Sequence, residues 1–157
     1  MKTEIHNILI IDDSEDYRKA LVVRLNSLFP EANVVEYDFL AEGLPPDDFD
    51  WEKHDVLLLD YYLGGEETGI NWYKKYHKTE DFPATIILTG LDTEEVATHV
   101  LKAGVHHYLS KTHLTKGDLF DGIEKAMQVR ERRQLISSAK HKNDTSGERG
   151  EAGNLST

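Results

Sequence analysis

The sequence predicts an α/β protein built on a doubly wound, five-stranded parallel sheet. Short apolar runs alternate along the chain with longer segments that have the periodicity of amphipathic helices. Such alternation is typical of a parallel sheet whose two faces are covered by helices through right-handed crossovers. A chain of 157 residues also suits one domain of this kind followed by a tail.

The first half of the chain supplies two strands and a helix between them. Residues 8–11 form a continuous apolar run, which is typical of a strand buried on both faces. Ser14 is suited to cap the following helix, whose apolar stripe is Tyr17, Leu21, Leu25 and Leu28. Residues 33–37 are the next predicted strand. The segment 40–54 contains Gly, two prolines and five acids, so we expect any helix there to be short or irregular.

Three further apolar runs predict the remaining strands, at residues 56–59, 84–89 and 105–109. Thr68 can cap the helix between the first two of them. Asp92 and Glu95 have the spacing of a capping box at the start of the fourth helix.

The last helix is predicted to start at a cap formed by Thr115 and Asp118 and to run on past the apolar stripe to Ile136. From Ser137 the residues are mainly polar, and they predict a disordered tail. We therefore predict a folded domain over residues 1–130, with a helix overhang and tail over residues 131–157.

The negative charge of the chain is concentrated in one region. The net charge is −11, and eleven acids between Glu36 and Glu67 face the single base Lys53. Such a surface repels phosphate backbones, which excludes direct nucleic-acid binding and favours a cation. The absence of cysteine excludes disulfides. No apolar run approaches the roughly 18 residues that span a bilayer, and the start does not resemble a signal peptide. We expect a soluble, cytoplasmic protein without a membrane partner.

Functional side chains follow four of the predicted strands. Asp12 and Asp13 come directly after the first strand, Asp60 ends the third, Thr89 ends the fourth, and Lys111 follows the fifth. Because the carboxyl ends of parallel strands meet at one edge of a sheet, we expect these groups to share one pocket. Taken singly, each has an ordinary structural explanation as a turn, cap or solvated residue.

Together, these side chains suit phosphoryl chemistry. Three carboxylates that lie close together repel one another, and a divalent cation relieves that repulsion. Magnesium is the expected ion because it prefers oxygen ligands and accepts a phosphate oxygen. Asp60 can then act as a carboxylate nucleophile. Lys111 would neutralise charge on the phosphoryl group, and the Thr89 hydroxyl would donate a hydrogen bond to it.

At these residues the sequence resembles the response-regulator receiver domain of two-component signalling, over residues 5–130. The resemblance implies a flavodoxin-like (βα)5 fold with Asp60 as the phosphoacceptor. It further implies that Asp13, Asp60 and the main-chain carbonyl of Tyr62 bind Mg2+ directly, while Asp12 holds the ion mainly through water.

For the other positions, the resemblance implies that Thr89 and Lys111 bind the phosphoryl group and that Tyr108 is the switch aromatic. A histidine kinase or histidine phosphotransfer protein would be the donor in a phosphorelay. Phosphorylation would remodel the face made by the fourth helix, fifth strand and fifth helix, through which receivers of this family pair as dimers. The output would lie in a fused or separate effector, and the domain would be a signalling module rather than an enzyme.

The sequence departs from the family pattern at two loops. Thr112 follows Lys111 where the family usually has proline, and Gly64-Gly65 replace the usual proline-containing loop after the phosphoacceptor. Neither departure removes a functional side chain. Tyr62 is bulky enough to screen an acyl phosphate from water, although Gly90 leaves room for a donor, so we expect slow self-dephosphorylation.

Two alternatives stay open at this point. One is a receiver-like interaction module that is not controlled by phosphorylation. The other is a phosphatase with an aspartate nucleophile, but such enzymes typically use Asp-x-Asp on one strand. Here Asp60 is followed by Tyr61 and Tyr62, and Asp12 and Asp13 are adjacent.

Overall fold

Five parallel strands form one sheet in the order β2-β1-β3-β4-β5. This computed structural model describes residues 4–64, 66–79 and 81–155, with side chains as far as residue 140. The elements, in chain order, are β1 Asn7–Ile11, α1 Glu15–Leu28, β2 Asn33–Tyr37, α2 Phe39–Glu42, β3 Val56–Asp60, α3 Gly69–Tyr76, β4 Ala84–Thr89, α4 Glu94–Ala103, β5 His107–Ser110 and α5 Lys116–Leu155. All four strand pairs are parallel. The predicted fold class is therefore confirmed.

The two faces of the sheet have separate hydrophobic cores because successive strand residues point to opposite sides. One core joins the β1 residues Leu9 and Ile11 to α3 and α4 and is rich in aromatic side chains. The other joins Ile8 and Ile10 to α1 and α5. The central strand β3 is buried at all five of its residues, which explains its continuous apolar sequence. Because β3 is held in the core along its whole length, the position of its last residue, Asp60, is fixed.

The helix starts agree with the sequence at three caps and differ at one. Ser14 and Thr68 accept hydrogen bonds from main-chain N–H groups of α1 and α3, and Thr115 accepts one from Asp118. The predicted capping role of Asp92 is wrong, because the Thr93 hydroxyl caps α4 by accepting a hydrogen bond from the Val96 N–H. Because the Thr93 hydroxyl, one residue nearer to the helix, forms the cap, the Asp92 carboxylate can form a hydrogen bond with another residue.

The irregular segment after β2 contains the single short helix α2, as expected from its Gly and Pro content. The last strand begins two residues later than predicted, at His107. Helix α5 continues as far as Leu155, so the segment predicted as a disordered tail is helical up to that residue, and its last two residues lie outside the described part. No proline follows Pro83, and nothing in the covalent backbone stops the helix. Within the described residues, no helix is both long and apolar enough to cross a membrane.

Candidate functional site

Three carboxylates converge at the carboxyl edge of the sheet. Asp12 and Asp13 directly follow β1, and Asp60 is the last residue of the neighbouring strand β3. Carboxylate oxygens of the three residues all lie within 4.8 Å of one another. Asp12 and Asp60 are buried, and Asp13 is half-buried. This donor set offers oxygen ligands only, which fits a hard divalent cation such as Mg2+.

Lys111 reaches this cluster from the edge strand β5. Its ammonium group lies 2.8 Å from Asp12 Oδ2 and 3.2 Å from Asp60 Oδ1. Its main-chain N–H donates a 2.7 Å hydrogen bond to the Thr89 carbonyl, which fixes the start of the β5–α5 loop against β4. Burial lowers the pKa of Lys111, but its hydrogen bond to Asp12 and the charge of Asp60 outweigh this effect, so that its pKa is raised. The side chain is therefore a permanent cation beside the acids.

The protonation of Asp60 depends on its surroundings. Burial, followed by the charge of Asp12, raises the pKa of the Asp60 carboxyl from 3.8 to about 7, although Lys111 opposes this effect. In the absence of a metal ion, the Asp60 carboxyl therefore keeps its proton to a higher pH than an exposed aspartate does. A divalent cation bound between the acids favours the carboxylate form, because it adds positive charge beside it.

The buried side chain of Arg18 stabilises the main chain that carries the acid pair. Arg18 of α1 donates a 2.6 Å hydrogen bond to the main-chain carbonyl of Asp12. The same guanidinium group contacts Glu36 at 3.2 Å and Asp38 at 3.7 Å at the end of β2. The Ser14 N–H donates to Asp12 Oδ1 at 2.8 Å. These bonds fix the main chain on which Asp12 and Asp13 are carried.

Thr89 lies at the predicted strand end but its hydroxyl is engaged in its own loop. The side chain is fully buried. Its Oγ1 donates to the Leu91 carbonyl at 3.2 Å and accepts from the Leu91 N–H at 3.0 Å. Among the described residues, the Thr89 hydroxyl has no hydrogen bond to the acids. The structure thus brings together Asp12, Asp13, Asp60 and Lys111 and leaves the Thr89 hydroxyl apart.

Tyr108 is hydrogen-bonded to Asp92, the residue that the sequence predicted to cap α4. Tyr108 lies on β5 opposite Ile87, and its hydroxyl donates a 2.7 Å hydrogen bond to Asp92 Oδ1. Burial raises the pKa of Tyr108, and its hydrogen bond to Asp92 adds to the effect. The aromatic side chain is therefore hydrogen-bonded to the β4–α4 loop.

The loop after Asp60 is closed by main-chain hydrogen bonds. The Gly69 N–H donates to the Tyr61 carbonyl at 2.8 Å, and the Leu63 N–H donates to the Glu67 carbonyl at 3.1 Å. A Cβ added to Gly69 would lie 2.2 Å from the Asp60 carbonyl oxygen, so only glycine fits there. Tyr62 lies within this loop with about half of its side chain exposed. Its main-chain carbonyl as a metal ligand stays a prediction.

Reasoning from the sequence missed three residues around the site. Tyr17 was assigned only to the apolar stripe of α1, Arg18 was not singled out, and Asp92 was assigned to a cap. Sequence position could have identified two of them. Tyr17 and Arg18 follow the acid pair by about one helical turn, which places them at the same edge of the sheet.

Comparison with known proteins identifies the class. Residues 8–124 match the family model of the response regulator receiver domain. Because this match takes in most of the chain, the protein belongs to the response regulator receiver family, and the resemblance stated from its sequence is confirmed. Members of this family are signalling modules that work with histidine kinases and effectors.

Among curated proteins, the transcriptional regulatory protein ComA of Bacillus subtilis (strain 168) is 28% identical over 109 residues, which cover 67% of this chain and 49% of that protein. The chain thus spans about half the length of this relative. A receiver domain protein from Clostridium thermocellum shares 26% identity and a TM-score of 0.67, covering 84% of this chain and 99% of the other. A CheY-like receiver domain protein from Methanospirillum hungatei JF-1 shares 23% identity and a TM-score of 0.61, covering 82% and 98%.

Proposed function

We propose that this domain is a phosphoacceptor receiver that is switched by Mg2+-dependent phosphorylation of Asp60. The observation that carries the proposal is the convergence of Asp12, Asp13, Asp60 and Lys111 at one edge of the sheet. Three acids and one lysine at this spacing provide a metal site, a nucleophile and a counter-charge for a phosphoryl group. The donor is a histidine kinase or a histidine phosphotransfer protein.

The metal site consists of Asp12, Asp13 and Asp60, with the Tyr62 carbonyl as a further ligand. When bound, Mg2+ neutralises negative charge on the carboxylates and on the incoming phosphoryl oxygens. The chain's own contribution is to hold the carboxylates within reach of one another before the ion arrives. The Arg18 hydrogen bond to the Asp12 carbonyl limits the movement of the main chain that carries two of them.

In the transfer itself, an Asp60 carboxylate oxygen attacks the phosphorus of the donor's phosphohistidine. The new bond is P–O, the bond that breaks is P–N, and the electron pair of that bond returns to the donor imidazole. Lys111 keeps its protons throughout and stabilises the phosphoryl oxygens by charge. Since the nucleophile is the carboxylate, deprotonation of Asp60 is required, and the metal ion and Lys111 both favour it.

Two residues that form other hydrogen bonds in this structure then respond to the phosphoryl group, Thr89 by binding it and Tyr108 as the switch aromatic. The Thr89 hydroxyl exchanges its bond to the Leu91 carbonyl for one to a phosphoryl oxygen, and Tyr108 leaves Asp92 to turn inward. This shifts a pre-existing equilibrium between two arrangements of the face formed by α4, β5 and α5. We further propose that this face pairs in a homodimer, that the output lies in a fused or separate effector, and that the protein acts in the cytoplasm.

The test is intact-protein mass spectrometry after incubation with acetyl phosphate and Mg2+. We expect wild type to gain the mass of one phosphoryl group, and Asp60→Asn to gain none. Asp16→Asn, which removes an exposed acid of α1, is the matched control and should gain the group as wild type does. Chelation of Mg2+ with EDTA should suppress the adduct.

Two outcomes would contradict the proposal. A phosphoryl adduct on Asp60→Asn would place the acceptor elsewhere. Absence of any adduct on wild type would instead support an interaction module that is not controlled by phosphate.

A further inference from the structure

The Lys111 ammonium has a third close neighbour besides the two carboxylates. Its Nζ lies 4.2 Å from the centre of the Tyr17 ring, within the range of a cation–π contact. The ammonium group carries three N–H bonds; Asp12 and Asp60 lie at hydrogen-bonding distance, and the aromatic face is its third contact. The side chain is mostly buried, with 19% of it exposed, and a desolvated ammonium interacts with an aromatic face more strongly than a hydrated one.

Tyr17 lies in the first turn of α1, four residues after Asp13. Its ring packs against the core between the sheet, α1 and α5. Its hydroxyl oxygen is buried and has no hydrogen-bond partner among the described residues. The interaction of this side chain with the site is therefore made by the face of the ring and not by the hydroxyl group.

We propose that Tyr17 is a positioning residue that holds the Lys111 ammonium over the site during phosphoryl transfer. This inference rests on the proposed function and assigns a role in it to a residue outside the acid, hydroxyl and lysine set. Lys111 directly follows the edge strand β5 and must reach past the end of β4 to meet Asp60 on β3. A long, flexible side chain loses conformational freedom when it is held in that way, and a fixed aromatic surface favours the held arrangement.

The role of the ring becomes important when the partners of Lys111 change. In this structure the ammonium is held by Asp12 and Asp60, both of which belong to the proposed metal site. Metal binding and phosphorylation would draw these carboxylates into other interactions, whereas the Tyr17 ring, which packs against the core, is a ligand of neither group. The ring thus remains as a contact that keeps the ammonium near the phosphoryl oxygens. No proton or electron pair passes through Tyr17.

The experiment compares Tyr17→Leu, which keeps an apolar side chain without a π face, with Tyr17→Phe, which keeps the ring. In the unphosphorylated protein, the ring current of Tyr17 should shift the Lys111 side-chain methylene resonances upfield in NMR spectra. We expect this shift in wild type and Tyr17→Phe and its loss in Tyr17→Leu. This readout does not depend on phosphorylation.

The second readout is the rate of phosphorylation by acetyl phosphate with Mg2+. We expect Tyr17→Leu to be about three- to tenfold slower than wild type, and Tyr17→Phe to stay within about twofold. In a Lys111→Met background, which we expect to react slowly but measurably over long incubations, Tyr17→Leu should cause no further loss. A purely structural role of Tyr17 would slow both backgrounds equally.

The possible outcomes separate this inference from the proposed function. A wild-type adduct with an unchanged rate in Tyr17→Leu overturns the positioning role alone. The same holds for equal slowing in the Lys111→Met background, or for a Tyr17→Phe variant as slow as Tyr17→Leu. Absence of any adduct on wild type overturns the proposed function, and the positioning role with it.

Discussion

Burial of Asp60 beside Asp12 raises the pKa of its carboxyl to about 7, against an ordinary value of 3.8. The unfolded chain releases this proton at lower pH than the folded protein does. Between about pH 4 and pH 7 the folded state therefore binds more protons, and the contribution of Asp60 to stability falls as the pH rises through this window. Above pH 7, the metal-free fold carries a buried carboxylate whose ionisation opposes folding.

Asp60→Asn should for this reason stabilise the metal-free protein. We expect its free energy of unfolding at pH 8 to exceed that of wild type by about 1–3 kcal/mol, less than the full linkage energy because Lys111 loses one partner. The gain should shrink towards pH 4, where Asp60 of wild type is protonated. Urea denaturation at both pH values measures it, with the exposed Asp16→Asn as control. A gain of equal size at both pH values would contradict the ionisation argument.

Tyr62 is predicted to prolong the life of the phosphorylated state. Its ring packs edge-on against Tyr61 at a centroid distance of 4.8 Å, and it lies two residues after Asp60. Tyr62→Asn should replace this apolar screen by a polar side chain and shorten the phosphoryl lifetime roughly three- to tenfold, because water gains access to the acyl phosphate. Tyr62→Phe should keep the wild-type lifetime. Loss of phosphoryl mass with time, followed after removal of acetyl phosphate, measures both variants, and an unchanged lifetime in Tyr62→Asn would contradict the screening role.

At the scale of the elements, the strands and their polar ends were predictable from the sequence because each depends on a local pattern. An apolar run that ends in an acid identifies both the buried strand β3 and Asp60. The role of Asp92 could not be found in this way, since its spacing from Glu95 also fits a capping box. Its actual partner Tyr108 is 16 residues away, and only the pairing of β4 with β5 brings them together.

The hydrogen bond between Tyr108 and Asp92 should stabilise the unphosphorylated arrangement. Net contributions of such bonds are about 0.5–1.5 kcal/mol, so we expect Asp92→Ala to increase the affinity for beryllofluoride with Mg2+ roughly two- to tenfold. The increase arises because Tyr108 no longer gives up a partner when it turns inward. Titration followed by the NMR signals of Tyr108 measures this affinity.

The matched control for this variant is Glu94→Ala, which removes an equal charge from the exposed start of α4. It should leave the affinity nearly unchanged. An equal increase in both variants would mean that bulk charge, and not the Tyr108 hydrogen bond, sets the equilibrium.

For the whole molecule, the sequence predicted the sheet and its acidic edge, while the domain boundary at residue 130 stays a prediction. Apolar periodicity ends near Met127, which favoured a boundary at residue 130. Arg130, the last residue of the predicted domain, donates hydrogen bonds to the Phe82 carbonyl at 2.8 Å and to the Asp81 carbonyl at 3.3 Å. Arg133 donates to the Gly104 carbonyl. These polar contacts tie α5 to the loops before β4 and after α4, and a hydrophobic pattern cannot reveal them.

Shortening the chain from its C-terminal end should show how much of α5 stabilises the domain. We expect the stabilising part to include Arg130 and Arg133 and not the exposed residues that follow. A chain ending at residue 137 keeps both arginines, and its free energy of unfolding should stay within about 0.5 kcal/mol of the full chain, because the first residues that it loses, 138–140, are exposed. A chain ending at residue 129 loses three hydrogen bonds from charged donors and should be less stable by about 1–3 kcal/mol.

Urea denaturation of both truncated chains and of the full chain measures these differences. The full chain with Arg130→Gln and Arg133→Gln is the control, and it should reproduce most of the loss seen in the shorter chain. If the chain ending at residue 129 were as stable as the longer one, the contacts of Arg130 and Arg133 would contribute little to the stability of the domain. A loss in the chain ending at residue 137 would instead show that the exposed helix stabilises the domain, which contacts confined to Arg130 and Arg133 do not explain.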